Sequence, residues 1–258
     1  MKVDKLRTVI IYIIIILLGL VCLLPLLNIV AISFSSSAAV EGNMVGLIPV
    51  GFSTAAYEKI LEDSQFWHSF LISVERVVLA LIINFVLIVL MAYPLSKTNA
   101  QFRGRNIYAN LMIFAMLFNG GMIPTFLLVK SYGLLNTVWA LVLPGAVPIF
   151  NVILVMNFFA AVPKELEEAA FIDGANPFQV LTKIFIPISK PVLATVSLFS
   201  IVGSWNDFYS GLIYMSKAAY YPLMTYIQSL QINVEDLIKQ GNLSAVVESA
   251  SPVSYTHL

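Results

Sequence analysis

Cysteine occurs once in this 258-residue chain, histidine twice, and charged residues make up only 11%. Each scarcity excludes something. The single Cys22 rules out an intrachain disulfide and makes redox chemistry improbable. Inside the first apolar run it reads as a small buried hydrophobe. His68 and His257 lie far apart, and there is no H-E-x-x-H, no G-x-S-x-G elbow and no paired-cysteine metal spacing. The phosphate-binding G-x4-G-K-[ST] is also missing, so any ATP hydrolysis belongs to another polypeptide. The expectation is a protein that is not an enzyme, with no catalytic residue, no metal and no cofactor of its own. A formal net charge of zero argues against nucleic-acid binding by bulk electrostatics.

What the chain does have is apolar length. Hydrophobic residues reach 59% and mean hydropathy is +0.90, whereas a soluble domain carries roughly a quarter charged residues. This composition predicts an all-α polytopic membrane protein, one transmembrane domain over 1–258. Apolar runs cover Val9–Ile32, Phe70–Leu95, Ile107–Val129, Thr137–Val162 and Ile188–Met215. Each is long enough to cross about 30 Å of hydrocarbon, giving five spans. The basic start (Lys2, Lys5, Arg7) resembles a signal peptide, but the run behind it spans a membrane and lacks a small-residue cleavage site, so it reads as an uncleaved first helix.

Orientation follows from lysine and arginine. Lys2, Lys5 and Arg7 precede span one. Lys97, Arg103 and Arg105 separate spans two and three, and Lys164, Lys183 and Lys190 lie in or beside the loop before span five. This side is expected to be cytoplasmic, the N-terminus included. Residues from Ala218 onward form a polar stretch without a sixth apolar run, and 248–258 reads as a non-native or truncated tail.

Pro25, Pro94, Pro124, Pro144 and Pro148 are expected to break the spans. Gly120-Gly121 before Pro124 suggests a locally opened helix. Asn84, Asn119, Asn151 and Asn157 read first as interhelical hydrogen-bonding groups, with Asn119 and Asn151 as candidate substrate-path residues. Glu75 and Arg76 read as interfacial side chains that snorkel. Trp205-Asn206-Asp207, deep in the last span, has two readings. An aromatic beside an amide and a carboxylate suits a sugar; equally, Asp207 bonds a neighbouring helix and Trp205 sits in the interfacial belt.

The segment 163–187, PKELEEAAFIDGANPFQVLTKIFIP, stands apart. Pro163 suits a first helical turn, and Glu165, Glu167 and Glu168 favour the positive end of that helix. Leu166, Ala169, Ala170 and Asp173 make a small, flat face at helical spacing. Gly174 supplies the left-handed residue that ends a helix. Asn176 and Pro177 read as N-cap and first residue of a second helix, which Pro187 and Pro191 limit. The product is a helix–turn–helix elbow. Surface-lying membrane helices are rich in lysine and arginine; this one is acidic, so a protein cleft suits it better.

Glu168-Ala169-Ala170, Gly174, Ile184 and Ile186-Pro187 give E-A-A-x3-G-x9-I-x-[LI]-P, which resembles the "EAA" loop of the membrane subunits of binding-protein-dependent ABC importers. That loop ends in I-x-L-P; here Ile186 replaces the leucine. Together with Leu95-Ser96-Lys97, Gly104-Arg105, Gly120 to Pro124, Tyr132-Gly133-Leu134 and Trp205-Asn206, it resembles sugar ABC-importer permeases of the maltose/multiple-sugar type. The runs N-G-G-M-I-P-T-F and N-V-I-L-V-M-N-F-F resemble most the subgroup importing oligosaccharides such as aldouronates and pectin fragments.

The resemblance implies a type I ABC-importer permease fold with six spans, set in lipid in a bacterial plasma membrane and moving a carbohydrate by alternating access. It implies a second permease subunit in a heterodimer, two cytoplasmic ATPase subunits that bind the ATP, and an extracytoplasmic sugar-binding lipoprotein. By the same resemblance Glu165, Glu168, Ala169, Ala170, Asp173, Gly174, Ile184 and Pro187 couple the permease to the ATPase. Trp205, Asn206 and Asp207 join Asn119 and Asn151 on the substrate path. Rival readings are a permease for another solute, such as peptide or phosphate, an ion-driven secondary transporter, and a membrane-embedded enzyme. The secondary transporter calls for several intramembrane carboxylates, and Asp207 alone qualifies clearly; the enzyme lacks catalytic groups.

Overall fold

The computed structural model describes residues 2–118 and 120–239, with side chains from 7 to 231 within them. Asn119 and the 248–258 tail therefore lie outside the described residues. In chain order the helices are α1 (Lys2–Ser33), α2 (Ser37–Glu41), α3 (Ala55–Glu62), α4 (Ser64–Leu95), α5 (Arg105–Leu117), α6 (Met122–Ser131) and α7 (Val138–Val142). They continue as α8 (Ile149–Ala160), α9 (Lys164–Ile172), α10 (Pro177–Val180), α11 (Ile186–Ile188), α12 (Lys190–Asn206), α13 (Tyr209–Tyr214) and α14 (Leu223–Lys239). Among the described residues there is no strand, so the chain is all-α.

Two compact units divide the chain, at Trp67/His68 and again at Thr225/Tyr226. The first holds α1, whose segment Arg7–Ser33 is long and apolar enough to cross a membrane. Its large apolar side chains from Val9 to Val30 are exposed, as suits a helix whose solvent is lipid. Cys22 is exposed with them, not buried as its residue type suggested. Beyond α1, Phe34 stacks on Phe52 and Tyr57 at 5.6 and 5.0 Å. Asn28 donates to the carbonyl of Gly46 at 2.6 Å, and the Tyr226 hydroxyl donates to Asp63 at 2.8 Å. These contacts tie the short α2–α3 segment to the end of α1 and fasten the start of α14.

The second unit carries the rest. Its α4 is a single helix long and apolar enough to cross a membrane, and three bent helix pairs each reach that length and apolarity when taken together. Five crossings are reached when each pair counts as one. The third apolar run opens between Leu117 and Met122, with Gly121 at φ 89°, as its Gly-Gly-x2-Pro signal predicts. The fourth bends by 48° between Gly145 and Ile149, with Pro144 just before the break and Pro148 in it. Pro25 and Pro94, in contrast, sit inside unbroken α1 and α4. The fifth run departs further from expectation. Its helix starts at Lys190, after an 84° bend from Pro177–Ile188, and stops at Asn206. Asp207 is extended, and α13 follows.

Leu181–Phe185 forms a π-helical turn just before Pro187. A proline cannot donate to the carbonyl one turn back and clashes with it, and widening the preceding turn is one way a helix absorbs that conflict. Pro187 is thus accommodated inside the second elbow helix, and the chain turns at buried Ser189 instead.

One core of this unit joins α4 (Ile88, Val89, Ala92), α8 (Val152, Val155, Phe159), the elbow's second helix (Val180, Leu181, Phe185) and α12 (Val192, Leu193, Val196). Fully buried Ala92 lets the backbones approach closely. A second cluster gathers Val129, Ala140, Leu141, Tyr214 and Met215. There α13 packs on Thr225. A Cβ at Gly211 would lie 2.1 Å from the Thr225 hydroxyl oxygen, which itself donates to the carbonyl of Phe208 at 2.9 Å.

Candidate functional site

Two places in the second unit concentrate polar chemistry. The first is the elbow. α9 begins directly after Pro163, one residue later than its sequence suggests. It ends at Ile172, followed by Gly174 at φ +82°. The amides of Gly174 and Ala175 return to the carbonyls of Phe171 and Ala170 at 3.1 and 2.9 Å, which satisfies the open end of the helix. Asn176 then caps α10. Its side chain accepts from the Gln179 amide, and the Gln179 side chain accepts from the Asn176 amide, both at 2.9 Å. This reciprocal box, with Pro177 as first helical residue, follows the expectation drawn from Asn176-Pro177.

α9 is sided. Glu165, Glu168, Ala169, Asp173, Gly174 and Pro187 are exposed, whereas Ala170 and Ile184 pack against the core. Ile172 is 87% exposed and Phe178 67%, on either side of the turn, with Leu166 and Phe171 also open. Together they form an exposed apolar patch on the elbow.

The inward carboxylate is Glu167, at 8% exposure. The Lys97 ammonium donates to its Oε1 at 2.7 Å. It also lies 4.1 Å from the ring centre of Tyr93 and 4.2 Å from that of Phe185. Those rings meet edge to face at 5.1 Å, and Phe159 meets Phe185 likewise at 5.4 Å. Burial pulls the Lys97 ammonium below the ordinary lysine range, while the hydrogen bond and charge of Glu167 oppose that shift. The sequence reading assigns Glu167 to the helix dipole alone; its place one turn before core-packed Ala170 is the available sign of an inward position.

The second place is a polar cavity of about 210 Å³ between α4, α7, α12 and α13, whose polar lining is Arg76, Asn84, Ser204, Asp207, Ser210 and Tyr214. Arg76 is 4% exposed and forms an ion pair with Asp207. It also donates to the Asp207 carbonyl oxygen at 2.8 Å, and its Nε is buried without a partner. Asp207 accepts from the Ser210 amide at 3.1 Å. The expectation that Arg76 snorkels to an interface is therefore wrong: a carboxylate at the broken end of α12 neutralises it inside the protein. Neighbouring Glu75 does face outward.

The Asn84 amide bonds the Ser200 hydroxyl at 3.2 Å, an interhelical contact of the kind expected. Of the Trp205-Asn206-Asp207 triplet, Asp207 reaches this cavity; Asn206 is exposed and Trp205 packs edge-on against Phe70 at 5.9 Å. Asn151 is buried, Asn157 is exposed, and neither lines the cavity.

Residues 78–247 match the family of binding-protein-dependent transport system inner membrane components. Protein LplC of Bacillus subtilis (strain 168) is 42% identical over 83% of this chain and 72% of its own. The polygalacturonan/rhamnogalacturonan transport system permease protein YtcP of the same organism is 38% identical over 98% and 87%. A crystal structure of a bacterial ABC transporter that imports the acidic polysaccharide alginate contains a chain similar at a TM-score of 0.81. It is 33% identical, covering 89% of this chain and 81% of that one. With its elbow, broken spans and polar cavity, the chain belongs to the binding-protein-dependent transport system inner membrane components and has the fold of an ABC-importer permease.

Proposed function

We propose that this protein is a permease subunit of an ATP-driven importer that takes an oligosaccharide into a bacterial cytoplasm by alternating access. The observation that carries the reading is the elbow. An exposed apolar and small-residue surface (Ile172, Phe178, Leu166, Ala169) is mounted on a helix whose continuation is built into the core through Val180, Leu181 and Phe185. A partner that grips the outer surface can thereby move α12 through a packed connection. That partner is a cytoplasmic ATPase subunit, one of two, since this chain carries no nucleotide-binding loop of its own. Glu165, Glu168, Ala169, Ala170, Asp173, Gly174, Ile184 and Pro187 form the coupling element. The elbow faces the cytoplasm, as does the N-terminus. ATP drives the cycle because it favours the closed pair of ATPase subunits, and the elbow is held differently in the two states. A second permease and an extracytoplasmic sugar-binding lipoprotein complete the assembly.

The carbohydrate substrate is supported by the similarity to YtcP and to the alginate importer. The cavity at Arg76, Asn84 and Asp207 is a polar station on the path; the unpartnered Arg76 Nε offers a donor to a hydroxyl or carboxylate passing it. Asn119, Asn151, Trp205 and Asn206 are further candidates along that path. Deleting the gene in its host and comparing uptake of labelled galacturonate oligomers, a peptide and phosphate tests the substrate class. Loss confined to the oligosaccharide is expected; loss confined to peptide or phosphate uptake overturns it.

A further inference from the structure

The elbow is held to the transmembrane helices by its own chain, by the apolar core its second helix shares with α4, α8 and α12, and by one polar cluster. Through its own chain, α9 continues into α10, the π turn, α11 and α12. Besides that shared core, its first helix is tied to the end of α4 by a polar side-chain cluster. Lys97 lies two residues beyond the last residue of α4, and its ammonium holds Glu167 of α9 at 2.7 Å between the rings of Tyr93 and Phe185. The four groups come from α4 and its end, the elbow's first helix and its π turn. Both members of the ion pair are nearly enclosed, with 12% and 11% of their side chains exposed. A cation that donates to a carboxylate on one side and meets ring faces on another is held in direction as well as distance.

The same two helices wall the polar cavity. α4 contributes Arg76 and Asn84, and α12 contributes Ser204 and leads to Asp207. Arg76 sits about 29 Å along the helix from Leu95, at 1.5 Å per residue. We infer that Lys97 is a positioning residue: it ties the elbow to α4, so that a displacement of the elbow reaches both walls of the cavity, α12 through the chain and α4 through the Lys97–Glu167 clamp. This rests on the reading of the elbow as the ATPase-docking element. Without the clamp the elbow still docks and still pulls on α12, but the apolar core alone does not carry the motion to α4, and the cavity does not change its exposure.

The test uses the complete transporter in proteoliposomes, in a Cys22→Ser background with Ser204→Cys as a reporter on the cavity wall. The rate of thiol labelling at position 204 by a methanethiosulfonate reagent is measured with and without ATP, and co-purification of the ATPase is measured alongside. With Lys97 present, ATP changes the labelling rate. In Lys97→Met the ATPase still co-purifies and the ATP response is lost. Lys97→Arg, which keeps a cation over the rings and a donor for Glu167, keeps the response. Retention of the full response in Lys97→Met overturns the clamp. So does loss of ATPase association in Lys97→Met, because the pair is then structural. If the parent with Lys97 shows no ATP response although the ATPase is bound, the coupling reading itself fails and takes the clamp with it.

Discussion

Arg76 and Asp207, 131 residues apart in the chain, close an ion pair on the wall of a cavity bounded by α4 and by the break between α12 and α13. The guanidinium is almost wholly buried and the carboxylate keeps 30% of its side-chain surface exposed. Asp207 thus does two things at once. It ends α12 by leaving helical geometry, and it supplies the counter-charge without which Arg76 could not be buried.

Removing that counter-charge should be costly. Asp207→Ala leaves Arg76 buried and unpaired, and a loss of about 3 kcal/mol is expected, the low end of the range because Asp207 is part-exposed. The double substitution Arg76→Leu/Asp207→Leu should recover part of it. Thermal unfolding of the purified transporter checks this, and an Asp207→Ala protein as stable as its parent would count against the burial of the pair.

Gly211 should tolerate no side chain. The Cβ of Gly211→Ala would lie 2.8 Å from the Thr225 Cβ as well as 2.1 Å from its oxygen, and overpacking of this kind costs about 1–3 kcal/mol. Adding Thr225→Ala to Gly211→Ala should relieve most of it in the same unfolding measurement. Equal destabilisation in the single and double variants would show that the contact is not the cause.

In the elbow, Glu168→Lys and Gly174→Asp should each abolish oligosaccharide uptake while leaving membrane insertion intact. Gly174 has φ +82°, a left-handed conformation that aspartate enters less readily than glycine, so Gly174→Asp strains the turn of the elbow as well as adding a charge. Normal uptake in the double variant would refute a coupling role for this surface.

Orientation can be read chemically. In a Cys22→Ser background, Ser216→Cys should react with an impermeant thiol reagent in intact cells, and Gln101→Cys should not. Both positions are exposed in the structure, so reactivity reports the side of the membrane. The opposite pattern would invert the orientation drawn from the lysines and arginines.

Local physics made the elbow legible in advance. A left-handed glycine, an Asn-Pro cap and an acidic first turn act within a few residues of one another, so 163–180 could be drawn from sequence. Apolar length did the same for α1 and α4. The contacts that organise the site were not legible. Lys97 meets Glu167 across 70 positions and Arg76 meets Asp207 across 131, and no local pattern announces such partners. Arg76 therefore passed for a snorkelling side chain and Glu167 for a dipole charge. Proline was misleading in a different way. Pro94 is accommodated inside a helix, whereas the fifth apolar run turns at Ser189, between Pro187 and Pro191, and breaks again at Asp207, whose carboxylate meets Arg76 and the Ser210 amide. α14 was missed because Leu223, Ile227 and Leu230 fall at helical spacing within a segment polar enough to pass for a tail.

The central claim is that the elbow's outer surface docks on an ATPase subunit, and co-purification measures it most directly. Ile172→Asp with Phe178→Asp places two carboxylates on that surface without touching the core. The account predicts a protein that inserts and pairs with its partner permease, but from which the ATPase subunit is lost on purification and in which uptake is abolished. An ATPase recovered in the parental ratio, with uptake unchanged, would contradict it.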